Sequence, residues 1–152
     1  MQTKNKKIAR KAGGAAKAKK TRKRTVFVFG NPLVKGDSAA LAAAKILKNK
    51  MPGFNFKEAS DPDFLPWLKG KELLIMDTAE GIEKTEFLCG LENLRKAEGA
   101  FSLHDFDLQF QLQLLKKMGK LESVKIIAIP AGCDAEKAAA ETEALLRKTK
   151  KR

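Results

Sequence analysis

Three short and nearly continuous apolar runs dominate the hydrophobic pattern of this chain. They occupy residues 25–29, 71–77 and 122–129, and each is rich in β-branched, aromatic or other large apolar side chains. Runs of this length, bounded by polar or turn residues, are typical of strands that are buried on both faces of a sheet. The pattern therefore predicts three buried strands as the centre of the fold.

Two weaker strands and two helices are predicted around these runs. Phe54–Ala59 alternates between apolar and polar residues and predicts a short strand, while residues 85–89 predict a short edge strand. An Ala- and Leu-rich run begins after Asp37 and Ser38, which are candidate helix caps, and ends near residue 50. Residues 134–148 are rich in Ala, Glu, Leu and Lys and predict a closing helix.

The segment from Phe101 to Leu115 fits two periodicities. Strict alternation favours a strand, whereas the same apolar residues also recur at the i, i+4 and i, i+7 spacings of a helix. Length, the Leu/Gln composition, the capping pair Ser102 and Asp105, and the stop at Gly119 favour the helix. We predict a helix with His104 in its first turn.

The order of these elements predicts the fold class. Strands that alternate with helices indicate an α/β domain, here a three-layer α/β/α sandwich around a five-stranded sheet that is mostly parallel or mixed. We expect the domain to occupy residues 25–148, after a basic tail (1–24) and before a basic C-terminal end (149–152).

The net charge of +13 belongs to the two ends of the chain. Residues 1–24 contain 11 Lys/Arg and residues 147–152 contain five, with no acidic residue in either segment, whereas residues 25–146 contain 15 Lys/Arg and 18 Asp/Glu. A segment as polar as residues 1–24 cannot bury enough apolar surface to fold, and we predict that it is disordered. It is either a solubilising extension or an arm that contacts nucleic acid or ribosomes without sequence specificity.

Several functional classes are excluded by composition. No apolar run approaches the roughly 18 residues of a membrane span, and no apolar segment follows the basic start, so neither a membrane protein nor a secretory signal peptide is expected. Cys89 and Cys133 lack the spacing of a metal site, and we expect buried thiols in the cytoplasm. Glycine-rich nucleotide-binding motifs are also missing.

Asp37, Asp77 and His104 are the candidate chemical groups. Each lies at a predicted strand end or helix start on one rim of the sheet, where open α/β proteins build their sites. A helix N-terminus disfavours the imidazolium, so His104 would stay neutral and able to bind a metal. Two carboxylates and an imidazole suit a divalent transition metal. The alternative is that Asp37 and His104 cap helices and Asp77 forms a turn.

Three segments together carry a family resemblance. Residues 29–37 (Phe-Gly-Asn-Pro-Leu-Val-Lys-Gly-Asp), the Leu-Ile-Met-Asp end of the strand at Asp77, and residues 102–108 (Ser-Leu-His-Asp-Phe-Asp-Leu) occur in this order. In order and separation they resemble the nickel–iron hydrogenase maturation endopeptidases, and the archaeal-type branch most closely. The resemblance covers about residues 25–146.

The resemblance implies an activity and a site. The trio of family residues that contacts the metal falls on Asp37, Asp77 and His104. The implied substrate is a hydrogenase large-subunit precursor already loaded with nickel, from which an aspartic-type endopeptidase removes a C-terminal extension. The nickel is borne by the substrate and is the recognition handle, and no organic cofactor is implied. The competing hypothesis is a non-catalytic α/β binding module that its basic tail carries to nucleic acid or ribosomes.

Three features depart from the family pattern. Gly36 stands where many members have a second acid, and the glycine that commonly follows the metal-contacting acid is replaced within Ser38–Leu41. Residues Glu58–Asp63 stand in place of an Asp-Gly-Gly-Thr loop. The first two concern the positioning of the substrate, and the third concerns which precursor is bound.

Overall fold

The computed structural model of the chain describes residues 22–59, 72–90 and 104–149, with the backbone alone for residues 104–109. The helices and strands alternate as predicted. The strands are β1 (Arg24–Val28), β2 (Phe54–Glu58), β3 (Glu72–Ala79), β4 (Glu86–Cys89) and β5 (Ser123–Pro130), and the helices are α1 (Ala39–Lys50), α2 (His104–Lys117) and α3 (Ala135–Thr149). A single 3-10 turn, Lys35–Asp37, precedes α1.

The five strands form one mixed sheet in the order β2-β1-β3-β5-β4. The first four strands in this order run parallel, and β4 pairs with β5 in the antiparallel direction at one edge. The central strands are apolar almost throughout because helices cover both faces of the sheet. The predicted mixed sheet and the predicted edge strand are both confirmed.

The helices form the two outer layers of the sandwich. On one face, α1 and α3 bury mainly alanines, whose small side chains let the helices approach the sheet and each other. These helices pack on the even-numbered residues of β1 and β3 and on Ile127 and Ile129 of β5. On the other face, α2 inserts Leu112 against Phe27, Leu73, Ile75 and Ile126. We call this second face the α2 face. The predicted three-layer α/β/α architecture is confirmed.

The ambiguous segment is helical from His104 to Lys117. Gly119 follows with φ +67°, a conformation that favours glycine and ends the helix. Burial along the described side chains follows the helical period: Leu112 is fully buried and Leu115, three residues later, packs against the same core, whereas Phe110 and Leu114 are 64% and 48% exposed. Alternation across a buried strand would have covered all three.

Two predictions about local structure were wrong. Strand β3 continues through Thr78 and Ala79, beyond its predicted end at Asp77, because both residues pair with β5. Asp77 therefore lies inside the strand, opposite Ala128, and does not terminate it. The cysteines are also less covered than predicted, since Cys89 is exposed on the edge strand and Cys133 is half-buried.

Several predicted features lie outside the described residues. These are most of the basic tail, Ser102 of the capping pair, residues 60–63 of the departing segment and residues 150–152. Within the described part of the chain, no helix combines the length and apolar character that a bilayer crossing requires.

Candidate functional site

The carboxyl ends of the parallel strands meet at one edge of the sheet. At this edge the Phe29 amide donates to the Met76 carbonyl oxygen (2.9 Å), and the Ala131 amide donates to the Ala79 carbonyl oxygen (2.9 Å). The chain leaving β1 is therefore attached to β3, and the chain leaving β5 is attached to the end of β3. In open α/β folds this edge is where loops build ligand sites.

The loop from Gly30 to Ser38 is folded back on itself by short hydrogen bonds. The Leu33 amide donates to the Asn31 side-chain oxygen (3.0 Å), and the Val34 amide donates to the Asn31 carbonyl oxygen (3.1 Å). The Asp37 amide then donates to the Val34 carbonyl oxygen (2.9 Å). These bonds give the loop one defined conformation, although most of it is exposed.

Asp37 closes this loop with its side chain. Its carboxylate oxygen Oδ2 accepts a hydrogen bond from the Asn31 amide at 2.9 Å, and the residue is half-buried. The prediction that the side chains of Asp37 and Ser38 cap helix α1 was wrong. Ser38 occupies the N-cap position of α1 without a capping hydrogen bond from its side chain, because its hydroxyl donates to the Lys35 carbonyl oxygen (3.2 Å).

Asp77 lies at the same edge, inside β3, and is only 9% exposed. Side chains alternate along a strand, so Asp77 is on the α2 face with Leu73 and Ile75. Its oxygen Oδ1 accepts a hydrogen bond from the Thr78 amide at 2.8 Å. The turn-forming alternative for Asp77 was wrong, because the residue is part of a regular ladder with β5.

Thr78 connects the segments that carry the two acids. Its side chain is on the opposite face, towards α1, and its hydroxyl oxygen accepts a buried hydrogen bond from the Ala40 amide at 3.3 Å. Ala40 is three residues after Asp37, and Thr78 directly follows Asp77. The structure therefore brings together the two acid-bearing segments that the sequence placed on one rim.

His104 is the first residue of α2. The end of this helix is close to the start of β5, since Lys116 and Ser123 line the same small cavity at the amino edge of the sheet. A helix of 14 residues spans about 21 Å at 1.5 Å per residue, which is long enough to reach the carboxyl edge from there. Leu112 of this helix is buried on the α2 face, which also bears Asp77, and the approach of His104 to Asp77 stays a prediction.

The metal-binding role of the trio stays a prediction. The side chain of His104 lies outside the described residues, and among the described side chains no group of three His, Cys, Asp or Glu is arranged to hold a metal. The two described acids have the chemistry that such a site needs. Each carboxylate is oriented by a backbone amide, which fixes a ligand without neutralising its charge.

Sequence reasoning missed two residues at this edge. Asn31 was part of the family motif, but its amide and side chain were given no role; the structure shows that they hold the loop and Asp37. Thr78 lies beyond the predicted end of its strand, and no local signal identifies a residue whose partner is 38 positions away. Gly36, in contrast, has open space around it: apart from its two chain neighbours, no described residue has an atom within 4 Å of the position of a Cβ.

Solved structures with the same fold include proteins of hydrogenase maturation. The hydrogenase maturating endopeptidase HybD from E. coli superposes with a TM-score of 0.62 at 15% identity, covering 83% of this chain and 93% of that chain. The [NiFe] hydrogenase maturation protease HycI from Thermococcus kodakarensis gives a TM-score of 0.56 at 19% identity, covering 82% and 90%. An uncharacterized protein from Wolinella succinogenes gives 0.54 at 16% identity, covering 86% and 96%.

These similarities show the fold. No protein-family model and no curated protein matches the sequence. The predicted resemblance to hydrogenase maturation endopeptidases is confirmed at the level of three-dimensional structure, over nearly the whole length of the solved proteins. Because the neighbours come from a bacterium and from an archaeon, assignment to the archaeal-type branch stays a prediction.

Proposed function

We propose that this protein is an endopeptidase that removes the C-terminal extension of a nickel–iron hydrogenase large-subunit precursor. One observation carries the proposal. In a fold shared with HybD and HycI, the Asp37 loop and the Asp77 strand are joined at the carboxyl edge of the sheet, where such folds place their sites.

Nickel bound to the precursor is the proposed recognition handle. The Asp37 and Asp77 carboxylates and the His104 imidazole are oxygen and nitrogen ligands that suit a divalent transition metal. The two amide-held carboxylates are pre-oriented, so they lose little side-chain freedom when they bind. Three protein ligands do not fill the coordination shell of such a metal by themselves. The shell is complete only when the precursor supplies the nickel and its other ligands, so cleavage depends on prior nickel insertion.

The same groups can assist hydrolysis of the scissile peptide. Carboxylates can take a proton from an attacking water, and Asp77, being nearly buried, acts in an environment that strengthens its electrostatic interactions. The substrate's nickel would polarise the scissile carbonyl or the water. We propose the cytoplasm as the compartment, since the exposed thiol of Cys89 suits a reducing environment.

Cleavage of a purified, nickel-loaded precursor tests this function directly. We expect Asp37→Asn, Asp77→Asn and His104→Ala each to lower the rate at least about a hundredfold, because each removes a group that contacts metal or reacting atoms. Glu136→Gln is the matched control, since this side chain is 71% exposed on α3. Circular dichroism and thermal unfolding establish that each variant is folded.

Two results would overturn the proposal. One is that all three site variants cleave the precursor at the wild-type rate, which would show that the activity does not depend on this edge of the sheet. The other is equal cleavage of the nickel-free and nickel-loaded precursors, which would remove the metal as the recognition handle while leaving peptidase activity intact.

A further inference from the structure

Helix α1 begins without the cap that its own sequence offers. The first amides of a helix have no partner inside the helix, and a Ser at the N-cap position commonly accepts a hydrogen bond from one of them. Ser38 does not, because its hydroxyl donates backwards to the Lys35 carbonyl oxygen. Ala40 is fully buried, so water cannot easily replace the missing acceptor for its amide.

Thr78 supplies the acceptor from another part of the fold. Its hydroxyl oxygen lies 3.3 Å from the Ala40 amide nitrogen, in a buried contact between β3 and the first turn of α1. The amide of the same residue donates to the Asp77 carboxylate at 2.8 Å. Thr78 therefore makes two hydrogen bonds: its hydroxyl accepts one from α1, the helix that follows Asp37, and its amide donates one to the Asp77 carboxylate.

This double contact determines how the two acids are placed relative to each other. Asn31 is attached to β1 and through Phe29 to β3, whereas Asp37 ends the 3-10 turn that leads into α1. A shift of the start of α1 would move Asp37 away from Asn31, and the hydrogen bond to the Thr78 hydroxyl ties the start of α1 to β3 beside Asp77.

We propose that Thr78 is the positioning residue of the candidate site, and that it sets the separation of Asp37 and Asp77 by capping α1 with its hydroxyl while holding Asp77 with its amide. The consequence for catalysis rests on the proposed function. The consequence for the hydrogen bonds of Ala40 and Asn31 does not depend on it.

Three variants of the full-length protein separate the roles. Thr78→Val removes the hydroxyl and keeps the shape of the side chain, and Thr78→Ser keeps the hydroxyl. Thr142→Val is the matched control, because Thr142 is also fully buried but its hydroxyl has no hydrogen-bond partner among the described residues. Amide hydrogen exchange by NMR and steady-state cleavage of the nickel-loaded precursor are measured for all three.

Hydrogen exchange is the test that is independent of activity. In Thr78→Val we expect the Ala40 and Asn31 amides to exchange at least about tenfold faster than in the wild type. Any change at the β3 amides, which report global unfolding, should be smaller, because the opening is local. Thr78→Ser and Thr142→Val should retain wild-type exchange at both amides. Wild-type protection of Asn31 in Thr78→Val would overturn the positioning role.

The kinetic test connects the geometry to the reaction. Misplacement of a reacting group by about 1 Å can cost about a hundredfold in rate, so we expect Thr78→Val to lower kcat by roughly ten- to a hundredfold with KM changed less than about threefold. Thr78→Ser should restore most of kcat. A loss that Ser does not restore, or that appears only in KM, would contradict the proposal. If the wild-type protein cleaves no precursor, the proposed function fails while the exchange experiment still decides the role of Thr78.

Discussion

The carbonyl oxygen of Asp37 lies 2.6 Å from the position that a Cβ atom at Gly30 would occupy. Gly30 also has φ +145°, a conformation that side chains rarely adopt. The chain leaving β1 and the residue that bears the first candidate acid are thus in direct backbone contact. Any side chain at Gly30 would push Asp37 out of place.

Gly30→Ala is therefore expected to damage the site through Asp37. Because the backbone must shift, we expect cleavage to fall by roughly ten- to a hundredfold and the free energy of unfolding to fall by about 1–3 kcal/mol. Urea unfolding and precursor cleavage measure the two effects. Gly36→Ala is the control in the same loop, where the added Cβ has no atom of the described part of the chain within 4 Å except those of its two chain neighbours. Equal behaviour of the two variants would show that the close contact does not hold Asp37.

Leu112 is expected to hold α2, and with it the backbone of His104, on the sheet. Its side chain is fully buried against the α2 face, so Leu112→Ala should cost about 2–5 kcal/mol of unfolding free energy. Leu114→Ala, at a position that is 48% exposed on the same helix, should cost less than about 1 kcal/mol. Urea denaturation measures both, and similar losses would contradict the described orientation of α2.

Glu141 is expected to make stability depend on pH. Thr85 lowers the pKa of the Glu141 carboxyl through its nearby hydroxyl and through its amide, and burial opposes this effect. The amide donates to Oε2 at 2.9 Å, whereas the hydroxyl does not have the geometry of a hydrogen bond, so the amide is the contact that holds the carboxylate. A lowered pKa in the folded state means that the ionised carboxylate stabilises the fold above the ordinary pKa of Glu, about 4.3. This stabilisation is lost as the pH falls through the lowered value.

Glu141→Gln tests this linkage. The variant should be less stable than the wild type at neutral pH, and the difference should shrink as the pH falls below about 4. Urea unfolding across this range measures it, with Glu136→Gln as an exposed control on the same helix. A difference that stays constant with pH would show that the carboxylate charge is not what holds Thr85.

The basic tail is expected to bind nucleic acid by charge alone, without sequence specificity. Residues 1–24 carry 11 Lys/Arg, so an affinity that they provide should fall steeply with salt through counterion release. Removing residues 1–21, which contain eight of these 11 Lys/Arg, should weaken that affinity strongly without changing precursor cleavage. Fluorescence anisotropy with a labelled RNA, at several salt concentrations, measures it. No binding by the full-length protein would leave the tail as a solubilising extension.

Much of the candidate site was accessible from the sequence because strand ends are locally encoded. Apolar runs identified β1 and β3. Parallel strands place their carboxyl ends at one edge of the sheet, and this predicted that Asp37 and Asp77 lie near each other. The helix α2 and the position of His104 at its start followed from composition and the stop at Gly119.

The errors share a physical cause. Asp77 was expected to end its strand, and instead β3 continues because Thr78 and Ala79 find hydrogen-bonding partners on β5. Ser38 was expected to cap α1, and instead Thr78 accepts the hydrogen bond from Ala40. In both cases the group that decides the structure is far away in the sequence.

The sequence by itself determined the layered α/β architecture, the edge of the sheet on which the acids lie, and the concentration of positive charge at the two ends of the chain. These follow from hydrophobic periodicity, helix propensity and charge, which act over a few residues. Tertiary structure decided which hydrogen bonds orient the acids. Backbone amides and a threonine hydroxyl choose their partners only after the sheet has assembled, because burial then makes every unpaired polar group costly.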